Sequence, residues 1–157
     1  MKTAFTACLI FALSAALLPA ETPAPPAPPA AVPPAASSVT HLKAPEAAKA
    51  LAAAQAAKAP EKSITILDVR SPEEFSEEHL KGAQNIDIGS PDFQKNLAQL
   101  DPAKTYLVHC AAGGRSTRSL GVLGKLGFKS ILHLDGGLNA WKAAGLPVEK
   151  PAAVPAK

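Results

Sequence analysis

The stretch Thr105–Leu126, which reads TYLVHCAAGGRSTRSLGVLGKL, decides the fold. Its first five residues, Thr105–His109, have aromatic and branched side chains at the centre, as a short buried strand does. Ser116–Leu126 places leucines on one helical face, and Gly127 follows as a helix stop. The stretch therefore predicts a strand, a turn of small residues and a helix, with Cys110 at the junction.

The same alternation continues on both sides of this unit. Four further strands are predicted at Val39–Leu42, Ile64–Val69, Gln84–Ile88 and Ser130–Leu134. Four further helices are predicted at Pro45–Ala57, from the Ser71–Pro72 start signal, from Ser90 to about Leu100, and from Gly136–Gly137 through Trp141. This pattern is typical of an open, mostly parallel five-stranded α/β sheet with helices on both faces. Ligands of such sheets bind beyond the carboxyl ends of strands, where Cys110 lies.

The N-terminal residues have the layout of a secretory signal peptide. Lys2 precedes an apolar stretch from Ala4 to Ala20, and cleavage is expected near Ala20. An uncleaved membrane anchor is the alternative, although the stretch is short and alanine-rich for a span of about 20 residues. Cleavage would remove Cys8, and Cys110 would be the only cysteine of an exported, periplasmic chain.

Composition divides the remaining chain into three parts. Residues 21–38, ETPAPPAPPAAVPPAASS, are rich in proline and alanine and predict an extended, disordered linker. Residues 39–150 are expected to form one folded domain, and residues 151–157 a disordered tail. The chain of 157 residues is long enough for one domain with a real core.

Charge and histidine spacing argue against two classes of partner. The net charge is +3, from 16 basic and 13 acidic residues, and no long basic run is present, so nucleic acid is not predicted. The four histidines have no paired ligand spacing, and neither a metal site nor a cofactor is predicted. Nothing in the sequence indicates an oligomeric state.

The turn after the central strand has the residues that stabilise a thiolate. Cysteine reacts as the thiolate, and the amides at the start of the following helix favour negative charge. Small residues let successive N–H groups converge on an anion, and Arg115 adds a permanent cation. The predicted catalytic residue is Cys110, and the predicted substrate-binding residues are Ala111, Ala112, Gly113, Gly114, Arg115 and Ser116.

Two neighbouring residues receive weaker assignments. His109 is adjacent to Cys110 in a strand, so its side chain is expected on the opposite face and no Cys–His dyad is predicted. Arg118 lies one helical turn beyond the loop and either widens the positive rim or belongs to a solvated helix face.

The constellation resembles the rhodanese family over nearly the whole folded part. The matching pieces occur in the family's order: ILDVRSPEEF at Ile66–Phe75, EEHLKGAQNID at Glu77–Asp87, the CAAGGRS loop, and LDGGLNAW at Leu134–Trp141. The resemblance implies a central parallel sheet and an active cysteine whose loop wraps around its sulfur.

The resemblance also implies an activity. Cys110 would take a sulfane sulfur from a thiosulfate-like donor as a persulfide and pass it to cyanide, a thiol or a protein acceptor. Arg115 would bind the anionic end of the donor. Asp68, Arg70, Glu74 and His79 are expected to be structural, as are Asp135, Gly136, Gly137 and Trp141. Ala111 replaces the larger polar residue common in the family.

Two alternatives follow from the same resemblance. Related phosphatases have five residues between cysteine and arginine, whereas this chain has four, which implies a loop sized for one sulfur. The stronger alternative is a rhodanese-like binding or sensing module, or a persulfide carrier tethered near a membrane partner, that does not turn over repeatedly.

Overall fold

One parallel sheet organises the protein. The structure is a computed structural model that describes residues 37–57 and 63–150. The elements in chain order are β1 (Ser38–Leu42), α1 (Ala44–Ala57), β2 (Ile64–Asp68), α2 (Pro72–Glu77), β3 (Gln84–Asn85), α3 (Phe93–Leu97), β4 (Thr105–His109), α4 (Gly114–Lys125), β5 (Ser130–Leu134) and α5 (Gly137–Ala143). The strand order is β1-β5-β4-β2-β3, with every pairing parallel. The predicted fold class is therefore confirmed.

Several expectations concern residues outside the described ranges. They are the signal peptide, the proline-rich linker up to residue 36, and the tail after residue 150. Strand β1 begins at Ser38, which had been assigned to the linker, and the Ser38 amide donates to the Lys129 carbonyl at 2.9 Å. Among the described residues, no helix has both the length and the apolar character needed to cross a membrane.

The two faces of the sheet carry separate apolar cores. Alternation along β4 sends Tyr106 and Val108 to one face and Leu107 to the other. The first face packs against α3 and α4 through Phe93 and Leu123, among others. The second face packs against α1 and α5, and its buried members are Ala44, Ala47, Ile66, Leu80, Leu107, Leu134, Leu138 and Trp141. Because helices cover both faces of the sheet, the inner strands are continuous apolar runs in the sequence.

The third strand is shorter than predicted. The sequence favours a strand over Gln84–Ile88, but only Gln84–Asn85 pairs with β2. The partner strand β2 ends at Asp68, which pairs with Asn85, the last residue of β3. The Ile86 amide still donates to the Asp68 carbonyl at 3.0 Å, and the Ile88 amide donates to the Val69 carbonyl at 3.3 Å.

Helices α3 and α4 differ most from their predicted bounds. Helix α3 covers Phe93–Leu97 only, because Ser90 forms a turn in which its hydroxyl accepts from the Asp92 amide. Helix α4 begins at Gly114, two residues before the predicted start, and ends before Gly127 with φ of +79°. The earlier start of α4 brings its N-terminal end closer to Cys110.

Candidate active site

Cys110 follows the central strand β4 and lies at the carboxyl edge of the sheet. Its side chain is buried, and its sulfur accepts a hydrogen bond from the Gly113 amide at 3.1 Å. The Ser116 hydroxyl approaches the same sulfur at 3.5 Å. Gly113 has φ of +99°, a left-handed conformation that favours glycine and directs the chain from the loop into α4. The loop thus folds around the thiol as predicted.

These hydrogen bonds change the acidity of the thiol. Burial alone would raise the pKa of Cys110, because it removes water from the thiolate. Hydrogen bonds from the Ser116 hydroxyl and from the amides of Ser116, Ala112 and Gly113 outweigh burial and lower this pKa from its ordinary value. A larger fraction of Cys110 is therefore thiolate at neutral pH, and the thiolate is the nucleophilic form.

Helix α5 holds the loop from the other side. The Leu138 amide donates to the Cys110 carbonyl at 2.8 Å, and the Asn139 amide donates to the Ala111 carbonyl at 2.9 Å. In a trans peptide the N–H points opposite to the C=O, so these bonds turn the next two loop amides away from α5. Sequence reasoning missed this role of α5.

Close contact between α5 and the loop requires glycine. Gly137 has φ of +58°, and a Cβ at this position would lie 2.3 Å from the Cys110 carbonyl oxygen. The sequence predicts only a structural role for Gly136 and Gly137, at the start of the last helix. A side chain at Gly137 would strike the cysteine loop, whereas a Cβ at Gly136 would lie 2.7 Å from the Ala140 side chain. The pair was the signal in the sequence that could have located this contact.

Arg115 is held by a carboxylate from α2. Its two terminal nitrogens donate to Glu74 at 2.5 and 2.7 Å, and this pairing lowers the pKa of Glu74. Glu74 also closes a capping box with Ser71, which fixes the start of α2 as predicted. Glu74 had been grouped with Asp68 and Arg70, but its hydrogen-bonded partner is Arg115.

A pocket opens above the cysteine loop. Its volume is about 410 Å³, and its lining residues are Cys110, Ala111, Ala112, Gly114, Arg115 and Arg118. Arg118 is exposed on the rim, which agrees with both interpretations given to it. Gly113 and Ser116 are buried and reach the sulfur from within the protein. The pocket therefore combines one nucleophile, two cations and a small apolar wall.

A buried ion pair lies at the end of the neighbouring strand. Arg70 donates to both carboxylate oxygens of Asp68, with the shortest bond at 2.6 Å, and to the Glu78 carbonyl at 2.7 Å. Asp68 is fully buried and Arg70 is 4% exposed. The nearby His109 is buried and its pKa is lowered, chiefly by burial, so it is neutral. Asp68 and Arg70 have the structural role expected of them.

Three other residues that were expected to be structural make side-chain contacts. The Trp141 indole N–H donates to the Pro147 carbonyl at 2.9 Å. The His79 ring stacks on Phe75, with ring centroids 4.0 Å apart, and bonds the Phe75 carbonyl. The Asp135 carboxylate is about half exposed and lies within hydrogen-bond distance of His41 and His133.

The polar group behind the loop was not predicted. His133 Nε2 lies 2.9 Å from the Ser116 hydroxyl, which contacts the Cys110 sulfur. His133 Nδ1 lies 3.0 Å from Asp135 and 3.2 Å from His41 Nδ1. The histidines looked scattered along the sequence, but β1 and β5 are neighbours in the sheet and bring His41 and His133 side by side.

Family comparison agrees with the geometry of the loop. A profile of the rhodanese-like domain matches residues 46–144, most of the described chain. The chain belongs to the rhodanese-like family. A solved rhodanese-related protein from Thermoplasma volcanium is similar in structure, with a TM-score of 0.58, 28% identity, and coverage of 70% of this chain and 97% of that one.

Curated members of the rhodanese-like family are similar at moderate identity. An uncharacterised Synechocystis protein is 39% identical over 90 residues, which are 56% of this chain and 48% of that protein. Thiosulfate sulfurtransferase 16 of Arabidopsis thaliana chloroplasts is 36% identical over 93 residues, which are 53% of this chain and 78% of the relative. The rhodanese-like chain thus spans less than half the length of the Synechocystis relative.

Proposed function

We propose that this protein is a thiosulfate-type sulfurtransferase that carries sulfur as a persulfide on Cys110. The contact of a buried thiol with the Gly113 amide and the Ser116 hydroxyl is the observation that supports the proposal most directly. A buried structural cysteine has no need of donors aimed at its sulfur or of a pocket above it.

The first half-reaction loads the enzyme. The Cys110 thiolate attacks the outer sulfur of thiosulfate. A bond forms between these two sulfurs, which gives the persulfide Cys–S–S⁻, and the S–S bond of the donor breaks. Sulfite leaves with the electron pair of that bond, so total charge is unchanged and no external oxidant or reductant is needed. Arg115 and Arg118 on the pocket wall offer positive charge to the anionic sulfonate end of the donor.

The second half-reaction removes the sulfur from the enzyme. Cyanide or a thiolate attacks the outer sulfur of the persulfide, and Cys110 leaves as thiolate. The products are thiocyanate or a new persulfide on the acceptor. A protein thiol is an acceptor of the same chemical kind, and the open pocket leaves the outer sulfur accessible to it.

The loop supplies electrostatic stabilisation during both steps. Negative charge moves from the cysteine sulfur to the outer sulfur during loading and back to the cysteine sulfur during unloading, and preoriented N–H groups stabilise such charge without reorganising. Helix α5 fixes the peptide planes of Cys110 and Ala111, which keeps the following amides turned toward the pocket side. We further propose that the protein acts after export, since an apolar N-terminal segment follows Lys2.

Intact mass spectrometry tests the function directly. The purified protein is expected to gain about 32 Da, one sulfur, after thiosulfate, and to lose it after cyanide. Thiocyanate should accumulate over many turnovers when both substrates are present. Loading without turnover would instead support a persulfide carrier, and absence of loading by thiosulfate or by an organic polysulfide would contradict the proposal.

Arg115→Ala is expected to weaken the use of anionic donors. Loss of one charge-assisted contact with thiosulfate should raise KM about tenfold. A larger rise is not expected, because the Arg115 side chain is 30% exposed and solvent screens its charge. Steady-state kinetics with thiosulfate and with an uncharged organic polysulfide would measure the difference.

Lys125→Ala is the matched control for this prediction. Lys125 is exposed in the last turn of α4, so the variant loses the same charge away from the pocket. An equal rise in KM for the charged and the uncharged donor in Arg115→Ala would show that Arg115 does not recognise the anion.

A further inference from the structure

Three ligand atoms converge at the carboxyl ends of β1 and β5. His41 Nδ1, His133 Nδ1 and Asp135 Oδ1 form a triangle with edges of 2.9, 3.0 and 3.2 Å. In a tetrahedral zinc site with metal–ligand bonds near 2.0–2.1 Å, two ligand atoms lie about 3.3–3.4 Å apart. The triangle is therefore close in size to one face of such a site.

The tautomers of the two histidines decide how well protons satisfy this triangle. If both rings carry a proton on Nδ1, both N–H groups donate to the single oxygen Asp135 Oδ1 and lie 3.2 Å apart. If only one ring does, the unprotonated Nδ1 of the other ring faces Asp135 Oδ1 lone pair to lone pair, at 2.9 Å for His41 or at 3.0 Å for His133. One cation above the triangle would interact favourably with all three atoms at once.

The backbone holds the three residues in place. His41 and His133 are direct partners in the register of β1 and β5, and the Asp135 amide donates to the Leu42 carbonyl at 2.9 Å. His133 is 3% exposed, whereas the side chains of His41 and Asp135 are about half exposed at 55% and 48%. Solvent or an external ligand thus has access to a fourth position.

The second nitrogen of the buried histidine has the partner expected of a metal ligand. His133 Nε2 lies 2.9 Å from Ser116 Oγ. The one hydroxyl proton of Ser116 has two other acceptors, the Gly113 carbonyl at 2.9 Å and the Cys110 sulfur at 3.5 Å. With that proton on either of them, Nε2 donates to Oγ and Nδ1 presents its lone pair. Metal-bound histidines are commonly fixed in this way by a hydrogen bond from the other ring nitrogen.

We propose that His41, His133 and Asp135 bind a divalent first-row transition-metal ion, with Zn²⁺ as the best match. Two imidazoles and one carboxylate form a ligand set suited to Zn²⁺ and poorly suited to Mg²⁺, which prefers oxygen ligands in octahedral geometry. None of the three residues lines the pocket of Cys110, and Ser116 contacts both His133 and the Cys110 sulfur.

Binding is tested on the full chain without a histidine tag, carrying Cys8→Ser and Cys110→Ser so that no thiol competes for the metal. Competition with a chromophoric chelator should give one Zn²⁺ per chain, unaffected by excess Mg²⁺. Co²⁺ should produce visible absorption typical of a tetrahedral nitrogen and oxygen site. Because this protein lacks the nucleophile, the outcome does not depend on the proposed sulfur transfer.

Single variants in the same thiol-free chain locate the site. Asp135→Asn and His41→Ala should each weaken Zn²⁺ binding at least about tenfold, with unchanged circular dichroism. Asp92→Asn is the control, because Asp92 is an exposed carboxylate that makes no side-chain cap bond. Absence of Zn²⁺ binding at millimolar concentration, or equal binding in all three variants, would overturn the proposal and leave a His41–Asp135 ion pair only.

Discussion

Cys110→Ser is expected to abolish sulfur transfer, with turnover reduced at least about a thousandfold, as for other removed nucleophiles. A serine hydroxyl is essentially un-ionised at neutral pH and does not form a persulfide. The fold should persist, because the hydroxyl can accept from the Gly113 amide in place of the sulfur. Thiocyanate production and thermal unfolding should be measured on the same preparation.

The stability measurement is the control for this prediction. A change in Tm of no more than about 5 °C would show that the loss of turnover is chemical. Wild-type turnover in Cys110→Ser would rule out the persulfide mechanism. Intact mass after thiosulfate should remain unchanged in the variant, which links the loss of turnover to the loss of the loaded form.

Arg70→Ala is expected to be the most destabilising single substitution considered. Asp68 is completely buried, and Arg70 donates to both of its oxygens. Removing one partner of a buried ion pair leaves an uncompensated charge and costs about 3–5 kcal/mol. Urea denaturation, followed by circular dichroism, would measure the loss in the free energy of unfolding.

Two further variants make the result interpretable. Arg118→Ala removes an exposed arginine and should change the free energy of unfolding by no more than about 0.5 kcal/mol. Asp68→Asn combined with Arg70→Ala removes the unpaired charge and should recover part of the stability. Equal stability of Arg70→Ala and Arg118→Ala would refute a stabilising role for the pair.

The bounds of a strand could be predicted where the flanking residues mark a turn or loop. Thr105–His109 and Ser130–Leu134 are apolar runs with a turn or loop on each side, and both strands have the predicted bounds. Strand β3 was too long in the prediction because its length depends on where β2 ends. The position of that end is a property of the pair of strands and is not encoded in Gln84–Ile88.

The nucleophile was predictable for a similar reason, while its supporting residues were not. Cys110, its small residues and Arg115 are contiguous, so their chemistry can be inferred from a single short segment. Glu74 lies 41 residues before Arg115, and His133 reaches the loop through Ser116 from a different strand. Such partners depend on the order of strands in the sheet, which local patterns do not specify.

The position of β1 has a consequence for the order in which the chain folds. In the described part of the chain, β1 pairs only with β5, and His41 and His133 are 92 residues apart. Synthesis delivers the first of these strands long before the second, so β1 has no partner until almost the whole domain has emerged. The entropy cost of closing so long a loop must then be met in a late step. The N-terminal strand is consequently the last part of the sheet to be incorporated, and a chain interrupted before Ser130 lacks its partner strand altogether.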